Sequence, residues 1–299
     1  MKIKESKIER LLKRVQKNIL LKNYTTFKIG GRAQYFFVAK NQKDLISAIK
    51  MAKKFNLPFF ILGAGTNLLV SDKGYKGLVI KIQNSKIKIQ KSEIKVDAGA
   101  MLGKLLNATV SVGLTGFEWA AGIPGTVGGA VLGNAGAFGK SMKDIVNEVE
   151  VFDAKTGKIK IFKNKDCKFG YRDSIFKHKK NLIILSAILQ LKKREKGKIK
   201  EKIKLFYLHR KKTQPLKFPS AGSIFKNPAG SFAGKLIEGC GLKGKKIGKA
   251  QISNTHANFI INLGGAGAKD VKKLINLAKK KVKNKFGVKL EEEIRYLGF

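Results

Sequence analysis

Apolar residues recur at helical spacing in several stretches of the chain and alternate with polar ones in others. Ile8, Leu12, Val15 and Ile19 mark one side of a predicted amphipathic helix over residues 2–20. A second helix is predicted in "NQKDLISAIKMAKKFNLP", with Leu45, Ile49 and Ala52 on one face and Pro58 as its stop. "MLGKLLNATVSVGL", "EKGKIKEKIKLFYLHRKK" near residues 195–212, and "SFAGKLIEGCG" read as further helices. So does "KDVKKLINLAKKKVKNKFG", where Val271, Leu274, Ile275, Ala278 and Val282 form one stripe. Strands are predicted in "PFFILGAG", "GLVIKI", "KIKIQKSEIKVDAGA", "HANFIINLGG" and "KLEEEIRYL", and a hairpin in "VEVFDAKTGKIKIF" with its turn near Thr156 and Gly157. This succession implies an α+β protein of two or three lobes.

Composition narrows the picture. With 299 residues and 43% apolar content the chain has material for about two cored domains. The apolar run Leu182–Leu191 is far short of the roughly 20 residues a membrane span needs. The charged N-terminus reads as neither signal peptide nor anchor. Cys167 and Cys240 cannot form a disulfide framework, as expected of buried free thiols in a reducing cytoplasm. The net charge of +43 raises nucleic acid as a partner. The lysines, however, lie along the whole chain on the polar sides of periodic segments, so no nucleic-acid partner and no membrane insertion are expected. The charge favours an anionic small molecule and says little more.

Two glycine-rich stretches remain. "ILGAGTNLLVSD" places Gly63 and Gly65 after a strand, but Leu68 occupies the third glycine position of a dinucleotide fingerprint and no helix follows. "GNAGAFGKS" misses the phosphate-loop spacing by one residue. Each stretch alone reads equally as a tight turn. Together they offer runs of main-chain N–H with little side-chain bulk, flanked by Thr66, Asn67, Thr126 and Asn134, which suits a pyrophosphate-bearing cofactor.

"GAGTNLLVSD" and "AGIPGTVGGAVLGNAGAFG" resemble the flavin-binding loops of the UDP-N-acetylenolpyruvoylglucosamine reductase family. "FGYRDSIFK", "PSAGSIFKNP", "GLKGKKIGKAQISNTHANFIIN" and "LEEEIRYLG" match further motifs of that family in order, from about Leu21 to the C-terminus. The resemblance implies a two-lobed FAD domain of the flavoprotein superfamily that includes vanillyl-alcohol oxidase, followed by an α+β substrate domain. The expected boundaries are 1–195 (lobes about 1–82 and 83–195) and 196–299. It implies noncovalent FAD held by Gly63, Ala64, Gly65, Thr66, Asn67, Leu68, Gly122, Ile123, Pro124, Gly125, Thr126, Gly128, Gly129 and Asn134. NADPH would be the hydride-donating co-substrate. Hydride would pass through flavin N5 to C3 of the enolpyruvyl nucleotide sugar, giving UDP-N-acetylmuramate for peptidoglycan synthesis. A cytoplasmic enzyme is implied, and a monomer is favoured.

The same resemblance assigns Arg172 to the developing carboxylate charge, Ser223 to protonation of C2 and Glu293 to support of the enol form, and it places Asn227, His256 and Lys211 at the substrate. No metal is implied. Read without it, Arg172 beside Asp173 is a surface ion pair, Ser223 a turn hydroxyl, Glu293 a solvated strand residue and His256 a packed histidine. Glu291 and Glu292 compete with Glu293 for the same role. The interval between Arg172 and Ser223 is short, which fits the form of the family without an extra tyrosine-bearing loop. Alternatives are another FAD oxidoreductase on this scaffold and a basic nucleic-acid binder.

Overall fold

The alternating stretches between residues 87 and 190 close into one antiparallel sheet, in a structure (a computed structural model) that describes residues 13–299. Its strand order is Lys158–Lys163, Val146–Asp153, Leu182–Gln190, Glu93–Asp97, Ile87–Gln90. The predicted hairpin is there, with Gly157 at φ 74° in its turn, where a side chain would be strained. Leu182–Gln190 is central and buried on both faces, hence its near-continuous apolar run.

This sheet belongs to the first of two units into which the chain divides: Met1–Gln16, Phe36–Ala64 and Leu78–His209. The unit also holds α1 (Gln42–Lys54), α2 (Leu102–Ser111), α3 (Val127–Leu132), α4 (Ile175–His178) and most of α5 (Lys196–Thr213). Asn41 caps α1 by accepting from the Asp44 N–H, and Leu45, Ala48, Ile49 and Ala52 are buried beneath it. The strand Phe59–Leu62 that follows lies parallel to Leu78–Lys81. Cys167 is buried, and burial pushes its thiol up to about 12, so it is an inert core residue.

The second unit gathers Lys17–Tyr35, Gly65–Gly77 and Arg210–Phe299. Its sheet runs Ser220–Ser223, Phe259–Asn262, Ala250–Ile252, Lys246–Ile247, with α6 (Ala233–Gly239) and α7 (Ala268–Phe286) against one core. The predicted stripe of α7 is that buried face, and each Leu or Ile so covered contributes roughly 1.5–3 kcal/mol. Phe27, Ile29 and Leu69 sit in the same core. Arg295–Leu297 pairs parallel with Leu68–Val70, and Asp72 accepts from the N–H groups of Ala268 and Lys269 at the start of α7. These units interleave along the chain rather than dividing it at 195/196.

Two elements differ from expectation. Of the helix predicted over 2–20, residues 1–12 lie outside the described residues, and Gln16–Leu20 is a strand. Asn18 has a left-handed φ of 55° and its carbonyl is held by Arg32, which helical backbone would not allow. The last strand covers only Arg295–Leu297, because Glu291–Glu293 are drawn aside into bonds with residues 224–226. Among the described residues no helix is long and apolar enough to cross a membrane.

Candidate active site

The second glycine stretch is pinned at its base and bare at its tip. Burial works against charge on Glu118, but hydrogen bonds from Thr115 and from the Gly116 N–H (2.9 Å) outweigh it and hold the carboxyl below its ordinary range. Leu102 N–H donates to Gly125 (3.0 Å), Val127 N–H to Ala100 (2.9 Å) and Gly128 N–H to Ala98 (2.8 Å), while Ile123 N–H closes a turn onto Ala120. Thr126 caps α3 by accepting from the Gly129 N–H. Gly122 and Gly125 have φ of 72° and 154°, conformations that exclude ordinary side chains, and Gly122, Pro124 and Gly129 are exposed.

The first stretch comes close to the second within the first unit. A Cβ on Gly63 would lie 2.6 Å from Thr126 Oγ1, so only glycine admits that approach. In this unit the N–H groups of Ala64, Gly122, Gly125 and Thr126 donate to nothing among the described residues, and in the second unit neither do those of Gly65, Thr66 and Asn67. Unsatisfied N–H groups in glycine-rich backbone attract anions. Ala64, Gly122, Gly125 and Thr126 of the first unit therefore suit the diphosphate of a dinucleotide cofactor. In the second unit Gly65 (φ 68°) is held against Tyr24, and its carbonyl accepts from Thr26 N–H. Leu68 starts the strand paired with Arg295.

Asn134, expected at the edge of this loop, has both ends of its amide engaged by protein. Nδ2 donates to Gly170 (2.8 Å) and Oδ1 accepts from Lys143 N–H (2.9 Å). Gly170 opens the turn Gly170–Asp173, closed by main-chain bonds in both directions, and Arg172 occupies that turn with φ 53°. The bland expectation of an Arg172–Asp173 pair gives way to another partner, because Asp173 is bound by His178.

In the second unit Ser223 ends its strand at an irregularity beside Gly222 (φ 76°). Glu293 N–H donates to Ile224 (2.8 Å), which sets Glu293 beside the residue after Ser223. The three glutamates separate here. Glu291 meets Lys226 at 2.5 Å, and Glu292 binds Lys279 (2.7 Å) and the Tyr296 hydroxyl (2.5 Å). Burial opposes charge on Glu292, yet these two donors hold its carboxyl low. Asn67 Nδ2 donates to the Glu293 carbonyl (3.1 Å), and Arg295 N–H donates back to the Asn67 carbonyl (3.1 Å).

The expected substrate residues lie in different surroundings. Asn227 accepts from Ala233 N–H at the start of α6. His256 is half-buried: Nδ1 accepts from Asn258 N–H (3.2 Å), and burial, with Lys243 adding to it, lowers its pKa. Lys211 lies exposed in α5 with nothing to single it out from its neighbours. Sequence reasoning missed Asn258 and Thr26. Asn258, 3% exposed, holds both the N–H (2.9 Å) and the carbonyl (2.8 Å) of Phe225. Thr26 Oγ1 donates to Ser220 (2.8 Å). Their only signal was a short polar residue beside a motif.

Known proteins resemble the chain over nearly all its length. Residues 33–163 match the family described as FAD binding domain, and residues 214–297 that described as UDP-N-acetylenolpyruvoylglucosamine reductase, C-terminal domain. The UDP-N-acetylenolpyruvoylglucosamine reductase of Caldanaerobacter subterraneus subsp. tengcongensis is 45% identical over 295 residues, 98% of this chain and 97% of that one. That of Clostridium novyi is 40% identical over 295 residues, 98% and 95% of the two chains. Among solved structures, UDP-N-acetylenolpyruvylglucosamine reductase from Thermus caldophilus superposes with a TM-score of 0.82 at 37% identity, covering 95% of this chain and 99% of its own.

Proposed function

The chain belongs to the UDP-N-acetylenolpyruvoylglucosamine reductase family, and on that premise we propose that it reduces UDP-N-acetylglucosamine enolpyruvate to UDP-N-acetylmuramate with FAD and NADPH. The observation that carries the reading is identity of 45% across 98% of the chain, which spans both the FAD-binding match and the C-terminal domain match. The chemistry FAD supplies when bound is hydride transfer, taken from NADPH and given to C3 of the enolpyruvyl group. In the first unit Ala64, Gly122, Gly125 and Thr126 present N–H groups that would hold its diphosphate.

Arg172 offers paired donors and a permanent charge to the substrate carboxylate as negative charge grows there. Ser223 Oγ gives its proton to C2. Glu293 is the carboxyl that supports the enol form, a choice supported by the capture of Glu291 and Glu292 in ion pairs. FAD is noncovalent, residues 33–163 serve it and 214–297 serve the substrate. The enzyme works in the cytoplasm on a free nucleotide sugar.

Anaerobic stopped-flow spectroscopy tests this. NADPH should bleach the flavin band and the enolpyruvyl nucleotide sugar should restore it; a protein without a flavin band, or one that the sugar leaves bleached, rules the proposal out. Ser223→Ala should keep the bleaching and slow the restoration by about 10²–10⁴-fold, the usual contribution of a positioned acid.

A further inference from the structure

We propose that Asn134 is a positioning residue for Arg172, acting through the turn Gly170–Asp173 rather than on the cofactor. The role rests on the reading of Arg172 given above. Asn134 follows Gly133, the C-cap of α3, with Asn134 N–H donating to Val131 and a left-handed φ of 42°, a conformation asparagine tolerates better than most residues. That backbone throws its side chain sideways from the helix end. There it is 6% exposed, and its Nδ2 reaches the carbonyl of Gly170.

The Gly170 carbonyl also accepts from Asp173 N–H, so the bond from Asn134 lands on the hinge of the turn. Ser174 Oγ donates to the Leu132 carbonyl (2.7 Å), gripping the far side of the same turn from the same helix end. Lys177 Nζ binds the carbonyl of Arg172. Arg172 needs this grip because its φ of 53° lies where a residue with a Cβ is rarely stable, and an unheld turn would relax. At its other end α3 begins at Thr126, the cap of the bare cofactor loop. Six residues of helix, roughly 9 Å, thus set the spacing between that loop and the arginine. Asn134 is the joint that transmits it.

The test uses the flavin-loaded enzyme and four variants: Asn134→Gly, Asn134→Asp, Arg172→Ala and the double Asn134→Gly/Arg172→Ala. Flavin content, the rate of bleaching by NADPH and the rate of reoxidation by the enolpyruvyl nucleotide sugar are measured for each. Asn134→Gly suits the left-handed backbone and keeps the test alive if another variant fails to fold. It should reoxidise about 10²-fold slower, the order expected from a displacement of about 1 Å. Asn134→Asp should be slower still, since a carboxylate then faces the Gly170 carbonyl. Flavin content and bleaching should be unchanged in both. The double variant should be no slower than Arg172→Ala alone, because one effect runs through the other.

Lost flavin or slowed bleaching in Asn134→Gly would return Asn134 to the cofactor and overturn the proposal. So would multiplied losses in the double variant, or wild-type reoxidation in Asn134→Gly beside a slow Arg172→Ala. Wild-type reoxidation in Arg172→Ala would remove the reading of the arginine, and the positioning role with it.

Discussion

The turn that carries Arg172 and the segment that carries Glu293 are secured in opposite ways. Side chains do most of the work at the first: Asn134, Ser174 and Lys177 each bond a main-chain oxygen at the turn or at its helix anchor. At the second, main chain bonds main chain, through Glu293 to Ile224, Glu291 to Lys226 and Arg295 to Asn67. Asn258 and Asn67 add side-chain bonds to main-chain groups of that frame. A side-chain grip can be undone by one substitution, whereas a main-chain ladder survives most of them.

Asn258→Ala is the severest challenge to that contrast. It orphans two buried main-chain groups of Phe225, and the expected loss is about 2–4 kcal/mol of stability, read as a lower urea midpoint at unchanged slope. A loss below about 1 kcal/mol would mean the ladder stands unaided. Asn67→Ala removes one half-exposed bond to the Glu293 carbonyl and should cost about 1 kcal/mol, with the flavin retained. A loss matching that of Asn258 would put Asn67 among the essential supports.

The smallest effect sharpens the comparison through pH. Burial disfavours the charged ring of His256, so its folded pKa lies below its unfolded one. As pH falls through the unfolded value of about 6.5, the unfolded chain takes up a proton that the folded protein does not, and stability declines. In His256→Asn the amide oxygen can replace Nδ1 as acceptor for Asn258 N–H but does not titrate. Its melting temperature should therefore drop less than that of the parent on going from about pH 7.5 to about pH 5.5. Equal drops in both proteins would mean another group carries the dependence.

Periodicity served well where local burial decides the outcome. α1 and α7 were legible because Leu45, Ile49, Val271, Leu274 and Ile275 repeat on one face over several turns. It failed at Gln16–Leu20 and at Glu291–Glu293, where partners far along the chain, Arg32 and residues 224–226, override the local pattern. At the site, glycines announced themselves because the backbone near Thr126 and Tyr24 admits nothing larger. The engagements of Asn134 and Asn258 left no trace in spacing. A hydrogen bond to a residue 33 or 36 positions away is a fact of tertiary structure alone.

The three-stretch make-up of the second unit bears on how the protein is born. Phe27, Ile29 and Leu69 leave the ribosome early, yet most of the core that covers them is encoded after residue 210. At ordinary elongation rates that wait lasts on the order of ten seconds, with greasy side chains and the unpaired strand Leu68–Val70 open to chaperones or to misassociation. A truncated mRNA would yield no useful fragment here, since a stop shortly before Arg295 removes the partner of a strand translated more than 200 codons earlier.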